Sequence, residues 1–90
     1  MISKTNKRFR AAFQALPEPV KRHARQAYRL FRENPYHPSL QFKEIESAPS
    51  VYSVRIGLHH RAVAMLTGQE LIWFWIGSHS DYDRLLRRLR

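Results

Sequence analysis

The sequence predicts an α+β fold: an N-terminal helical hairpin packed on a curved, mainly antiparallel four-stranded sheet, with a short C-terminal helix. Three observations predict it. Apolar residues recur at helical spacing as far as Phe31, the period falls to two from Ser39 onward, and an unbroken apolar run, Leu71 to Ile76, ends on Gly77. Each period marks which face of an element is buried. Ninety residues bound the chain to one domain, spanning 1–90, with a thin core.

Lys4 to Leu16 carries Phe9, Phe13 and Leu16 at helical spacing, with Thr5 or Asn6 to cap it, and reads as the first helix. Met1-Ile2 is too short to support a strand before it. Pro17-Glu18-Pro19 opens the second helix, because prolines are harmless where the first N–H groups have no intrahelical partner. Val20, Ala24, Ala27, Tyr28 and Phe31 form its apolar stripe, and Lys21, Arg25, Arg29 and Arg32 line another side. Asn34-Pro35 ends it, since a residue before proline avoids the helical region.

Leu40 and Phe42 alternate with Gln41 and Lys43 in a first strand ending near Ile45, and Ala48-Pro49-Ser50 turns the chain. Val51 to Ile56 is the next strand, with Tyr52, Val54 and Ile56 toward the helices and Ser53 and Arg55 on the other face. Gly57-Leu58-His59 turns into His60 to Leu66, and Thr67-Gly68-Gln69 turns into Leu71 to Ile76. Connections this short force an antiparallel meander. Leu71 to Ile76 reads as the central strand, with Leu71, Trp73 and Trp75 on one face and Ile72, Phe74 and Ile76 on the other. Tyr82, Leu85, Leu86 and Leu89 give a C-terminal helix over Asp81 to Arg90, capped by Ser78 or Ser80.

The formal charge is +9, and it sits at the two ends. Met1 to Glu33 holds nine Lys/Arg against two Glu, whereas Asn34 to Ser78 is balanced. Such a field attracts phosphate backbones or an acidic protein. The basic row of the second helix is either a phosphate-contacting ridge or a solvated face. No cysteine is present, which excludes disulfides and thiolate metal sites and suits a reducing cytoplasm. The longest apolar run is far short of a membrane helix, and the N-terminus lacks the apolar core of a signal peptide. A cytoplasmic protein with no membrane association is expected. The histidines diverge too widely for a metal site, and no Gly-rich phosphate loop suggests a cofactor.

In order along the chain, Phe13-Gln-Ala-Leu-Pro17, Asn34-Pro35, Tyr52-Ser-Val-Arg-Ile-Gly57, His60-Arg-Ala-Val63 and Ile76-Gly-Ser-His79 resemble the landmarks of the RelE/ParE superfamily, the toxins of type II toxin-antitoxin systems. The likeness covers nearly the whole chain. It implies either of two activities: the RelE-like branch cuts messenger RNA, usually on the ribosome, and the ParE-like branch inhibits DNA gyrase without nuclease activity. It also implies a cognate acidic antitoxin and an oligomer formed with it. Gly77-Ser-His-Ser-Asp81 is similar to the ending of YafQ-type members, whose histidine is catalytic, so His79 inherits that role. Arg61 matches the arginine of the family's Tyr-Arg pair, with His60 in place of the tyrosine, and Arg55 matches a basic strand residue.

Metal-independent RNA cleavage needs a base for the 2′-hydroxyl proton, cations around the phosphate, and an acid for the leaving 5′-oxygen. His79 supplies an imidazole, the side chain best suited to act as acid or base at cellular pH. Arg55 and Arg61 can hold one phosphate if their strands are neighbours. Asp81 either orients His79 or is an ordinary residue of a helix N-terminus. Tyr82 donates a proton, stacks on a base, or packs the last helix onto the sheet, and His60 is a second candidate proton carrier. Lys43, Arg25, Arg29 and Arg84 are the candidate RNA contacts. A relative that keeps the fold and binds RNA or an acidic protein without catalysis is the third reading.

Overall fold

The computed structural model describes residues 2–89, which form a five-stranded sheet flanked by helices on both faces. In chain order these are β1 (Ile2–Thr5), α1 (Lys7–Gln14), α2 (Glu18–Glu33), a 3₁₀ turn (Pro38–Leu40), β2 (Lys43–Glu44), β3 (Val51–Ile56), β4 (His60–Thr67), β5 (Glu70–Ser78) and α3 (His79–Arg88). The strand order is β1-β5-β4-β3-β2, antiparallel except that β1 runs parallel to β5. The helical hairpin, the β3-β4-β5 meander and a C-terminal helix are as expected; several details differ.

The sheet gains a fifth strand where the first helix was expected to begin. Ile2 to Thr5 pairs with Glu70 to Trp73, and the Trp73 indole N–H donates to Ser3 Oγ at 2.7 Å. A short polar segment with an exposed Ile2 has no burial pattern to betray it; the partner strand makes it one. The helix therefore starts at Lys7, where Asn6 Oδ1 accepts from Phe9 N–H at 2.8 Å and satisfies a free amide of the first turn. Met1 and Arg90, at the ends of the expected elements, lie outside the described residues.

The strand expected from Leu40 is mostly a turn. Pro38 starts a 3₁₀ turn, and Gln41 is left-handed at φ 47°, so only Lys43 and Glu44 join the ladder. Leu40 is buried by folding inward instead of alternating.

The middle position belongs to β4, with β5 between it and β1. The expected two faces of β5 are also broken by a bulge: Val63 pairs with Trp75 but Ala64 pairs with Trp73, leaving Phe74 as the extra residue. Leu71, Trp73 and Ile76 consequently face the helical hairpin, while Phe74 and Trp75 turn to the other side. The last helix begins at His79, two residues earlier than expected, with Ser78 Oγ accepting from Asp81 N–H at 3.1 Å.

The core is split by the sheet. On one face Ala24 and Phe31 of α2 and Phe9 and Phe13 of α1 pack on Val54, Ile56, Ala62, Leu71, Trp73 and Ile76. On the other, Tyr82, Leu85, Leu86 and Leu89 of α3 cover Val63, Val51, Ile45 and Trp75. Period-two alternation thus gives the inner strands β3, β4 and β5 two covered faces. The same face, beside the N-terminus of α3, carries the polar residues considered next.

Candidate active site

Arg55 and Arg61 are paired directly across β3 and β4, and Arg61 is paired with Gly77 of β5. Directly opposed residues share a face, so both arginines lie on the α3 side of the sheet. The next row on that face is Lys43, Ser53, Val63 and Trp75. Lys43, Arg55 and Arg61 thus come from three adjacent strands onto one surface.

Arg61 is held in place rather than free. It is only 5 % exposed. Its guanidinium donates to Gln41 Oε1 at 3.3 Å, to the Gln41 carbonyl at 3.4 Å and to Ser53 Oγ at 3.4 Å. The guanidinium carbon lies 5.1 Å from the centre of the Tyr82 ring, where the ring's negative face attracts it. No carboxylate pairs with it, and Nε has no acceptor among the described residues. Burial lowers the Arg61 pKa from its ordinary value; the neighbouring Tyr82 opposes that shift and Arg55 reinforces it. A cation kept desolvated and incompletely paired is poised for an anion.

Tyr82 joins this arginine to the helix end. Its hydroxyl donates to Ser53 Oγ at 3.1 Å, its ring packs on Trp75, and the His79 ring meets its edge at 5.9 Å between centroids. His79 is itself the first residue of α3, its N–H donating to the His59 carbonyl at 2.8 Å. The strand end and the turn before β4 together fix where the imidazole starts. Gly77 keeps the surface open: a Cβ there would stand 2.9 Å from the Trp75 ring.

The expected residues divide cleanly. Arg61, Tyr82 and His79 come together, and Arg55 shares their face but turns its Nε–H toward the Ser39 carbonyl at 3.2 Å. Asp81 does not orient His79; it pairs with Arg84 at 3.0 Å on the outer side of α3. The carboxylate beside the imidazole is Asp83, with Oδ2 3.4 Å from His79 Nδ1. Sequence reasoning missed it, although the i, i+4 spacing on a helix was the available signal. Ser53 and Gln41 were missed too: Ser53 was readable from its place two residues before Arg55, but Gln41 depends on a left-handed turn no pattern announces.

His60 faces the helical hairpin instead, in a row with Ile56 and Ser78 and close enough to His23 to feel its charge. Burial, then His59, then His23 lower its pKa. Arg25 and Arg29 also belong to the hairpin side, where Arg25 pairs with Glu18 at 3.4 Å and lies over the Phe13 ring. Among the described residues no group of three or more His, Asp or Glu side chains is placed to hold a metal ion, and no helix is long and apolar enough to cross a membrane.

The family model of the ParE-like toxin domain matches residues 18–84, most of the chain. The chain belongs to this family. That match bears out the expected RelE/ParE superfamily membership, and solved structures share the fold. A chain of a RelB-RelE antitoxin-toxin complex from Methanococcus jannaschii superposes with a TM-score of 0.70 at 17 % identity, over 89 % of this chain and 95 % of that one. An archaeal RelE-RelB complex from Pyrococcus horikoshii gives 0.66 at 16 % identity, over 86 % and 92 %. The isolated Escherichia coli RelE toxin gives 0.63 at 13 % identity, over 99 % and 98 %. No curated protein matches the toxin domain significantly.

Proposed function

We propose that this toxin domain is a metal-independent endoribonuclease that cuts messenger RNA on the ribosome, and that a cognate acidic antitoxin holds it in check. The observation that supports this reading most is Tyr82, which carries the Arg61 guanidinium near its ring and the His79 imidazole at its edge. Attack of a 2′-hydroxyl on phosphorus needs a proton acceptor and a cation near one phosphate, and this buried ring has an imidazole and a guanidinium as neighbours.

In the proposed reaction Asp83 faces Nδ1 of His79 and favours the tautomer with its proton there, leaving the Nε2 lone pair free. Nε2 takes the 2′-hydroxyl proton as the 2′-oxygen bonds to phosphorus. Arg61, with Arg55 across the ladder, neutralises the crowded phosphate. The bond to the 5′-oxygen breaks, that oxygen takes a proton from water, and the His79 imidazolium returns its proton to the hydroxide left behind. The products are a 2′,3′-cyclic phosphate and a 5′-hydroxyl. Lys43, on the same face, guides the strand, and Arg84 extends the basic margin along α3.

Purified protein added to a translation extract with a defined message tests this. Cuts at codons with cyclic phosphate ends are expected from the wild type, and none from a folded His79→Ala protein. Undiminished cutting by His79→Ala sinks the assignment, and binding without any product points to a noncatalytic relative. The ParE-like family match favours one rival, inhibition of DNA gyrase. That reading predicts loss of supercoiling activity that His79→Ala leaves intact. The antitoxin proposal draws on the two RelE neighbours solved with RelB and on the basic surface; an acidic, largely disordered segment would fold onto it and form the oligomer.

A further inference from the structure

Gln41 meets the Arg61 guanidinium from a strained backbone. It follows the 3₁₀ turn with φ 47° and ψ 44°, in the left-handed region that glycine and asparagine enter at least cost. Its neighbours fix it there: Leu40 is buried, and the Phe42 ring stacks on Tyr52 with centroids 5.2 Å apart. Strain of this kind persists where the surroundings over-determine it, and it gathers at ligand sites. Here it lets one residue accept twice from one cation, through Oε1 at 3.3 Å and through its carbonyl at 3.4 Å.

The orientation of the amide follows. A guanidinium only donates, so the atom facing Arg61 must be Oε1, and the two N–H groups of Nε2 point elsewhere. They have no acceptor among the described residues, and Gln41 is exposed. Two free neutral donors therefore stand beside a buried cation whose own Nε–H is unpaired. We propose that Gln41 contacts RNA directly, donating from Nε2 to a non-bridging oxygen of the phosphate that Arg61 holds. The guanidinium supplies the charge, and the amide supplies a directed bond to a second oxygen without a further charge to desolvate. Asparagine would suit the backbone better, but its amide is one methylene too short to span cation and phosphate. The inference rests on the proposal that RNA lies on the Arg61–His79 surface, and adds to it the residue that orients the phosphate.

The test is filter binding of the whole chain to a single-stranded 2′-O-methyl oligonucleotide, which has no 2′-hydroxyl to attack and so cannot be cut. Gln41→Gly and Gln41→Asn both suit the left-handed backbone, and each should bind about tenfold more weakly than the wild type. The slope of log affinity against log salt should stay as in the wild type, because a neutral donor displaces no counterion, whereas Arg61→Met should reduce it by about 0.7. Replacing the non-bridging oxygens with sulfur, a poor acceptor, should weaken the wild type more than Gln41→Gly, which has already lost the bond. Wild-type affinity in either variant, or a slope change like that of Arg61→Met, would overturn the inference. So would an equal sulfur effect in both proteins, which would make Gln41 a positioning residue for Arg61 alone, or no saturable binding of the wild type below about 1 mM. Cutting is not read in this assay, so a wild type that fails to cut in the translation extract rejects the nuclease proposal and leaves this measurement standing. Full binding by the Gln41 variants, beside a wild type that cuts and a His79→Ala protein that does not, rejects the Gln41 contact alone.

Discussion

The Arg61 guanidinium lies 5.1 Å from the centre of the Tyr82 ring, and the Tyr82 hydroxyl and Arg61 both bond Ser53 Oγ. One serine therefore ties the central strand arginine to the C-terminal helix. The arrangement places a charge where the protein must desolvate it, with hydrogen bonds to neutral groups only.

Stability and binding should part company at Arg61. Replacing a buried, incompletely paired charge by an apolar side chain of similar length removes a desolvation cost, so Arg61→Met should unfold at the same temperature as the wild type or higher. Tyr82→Phe should cost about 1 kcal/mol through the lost bond to Ser53. Single-stranded RNA binding should fall steeply in Arg61→Met and hardly change in Tyr82→Phe. Arg61→Lys should not restore it, because an ammonium cannot span Gln41 and Ser53 together. Thermal unfolding and filter binding on the three variants check this; a strongly destabilised Arg61→Met would show that the charge supports the fold.

How much of this was legible in the sequence depends on where each signal lives. The meander was readable because Val51 to Ile56 and His60 to Leu66 alternate and their turns are short. Arg55 and Arg61 follow from it, since a hairpin at Gly57 sets them opposite one another. What stayed hidden depends on partners distant in sequence. Ile2 to Thr5 becomes a strand only because β5 offers an edge, and Phe74 becomes a bulge only in register with Val63 and Ala64. Asp83 rather than Asp81 meets His79 because α3 starts at His79, which puts the two a full turn apart; a helix starting at Asp81 would not have done so.

His60 makes stability depend on pH. Its folded pKa lies below the ordinary 6.5, chiefly through burial. The unfolded chain therefore binds a proton that the folded one resists, and stability rises with pH over the range between the two values. The stabilisation is complete above about pH 6.5 and is lost as the pH falls through the folded pKa. His59 and His23 act in the same direction, because a charge on either opposes a charge on His60. Urea unfolding at pH 8 and at pH 5.5 should show the wild type weaker at the lower value. The difference should shrink in His60→Phe. An equal difference in both proteins would assign the effect to other groups.

Gly77 gives the last prediction, and it separates packing from conformation. Its φ is not in the left-handed region, since the positive-φ glycines are Gly57 and Gly68. Nothing in the backbone therefore demands glycine here. The demand comes from Trp75, whose ring atoms Cη2 and Cζ2 would each lie 2.9 Å from an added Cβ. Gly77→Ala must push that indole away, and the indole in turn touches Tyr82 at 6.3 Å between ring centroids. Overpacking of this kind costs about 1 to 3 kcal/mol. The displacement should reach the Arg61 surface through Tyr82, so RNA binding should weaken together with the melting temperature, and tryptophan fluorescence should shift. Gly77→Ala combined with Trp75→Leu should recover part of the lost stability, because the shorter side chain leaves room for the new methyl group. If the double variant is no more stable than Gly77→Ala alone, the close approach to Trp75 is not what keeps glycine at this position.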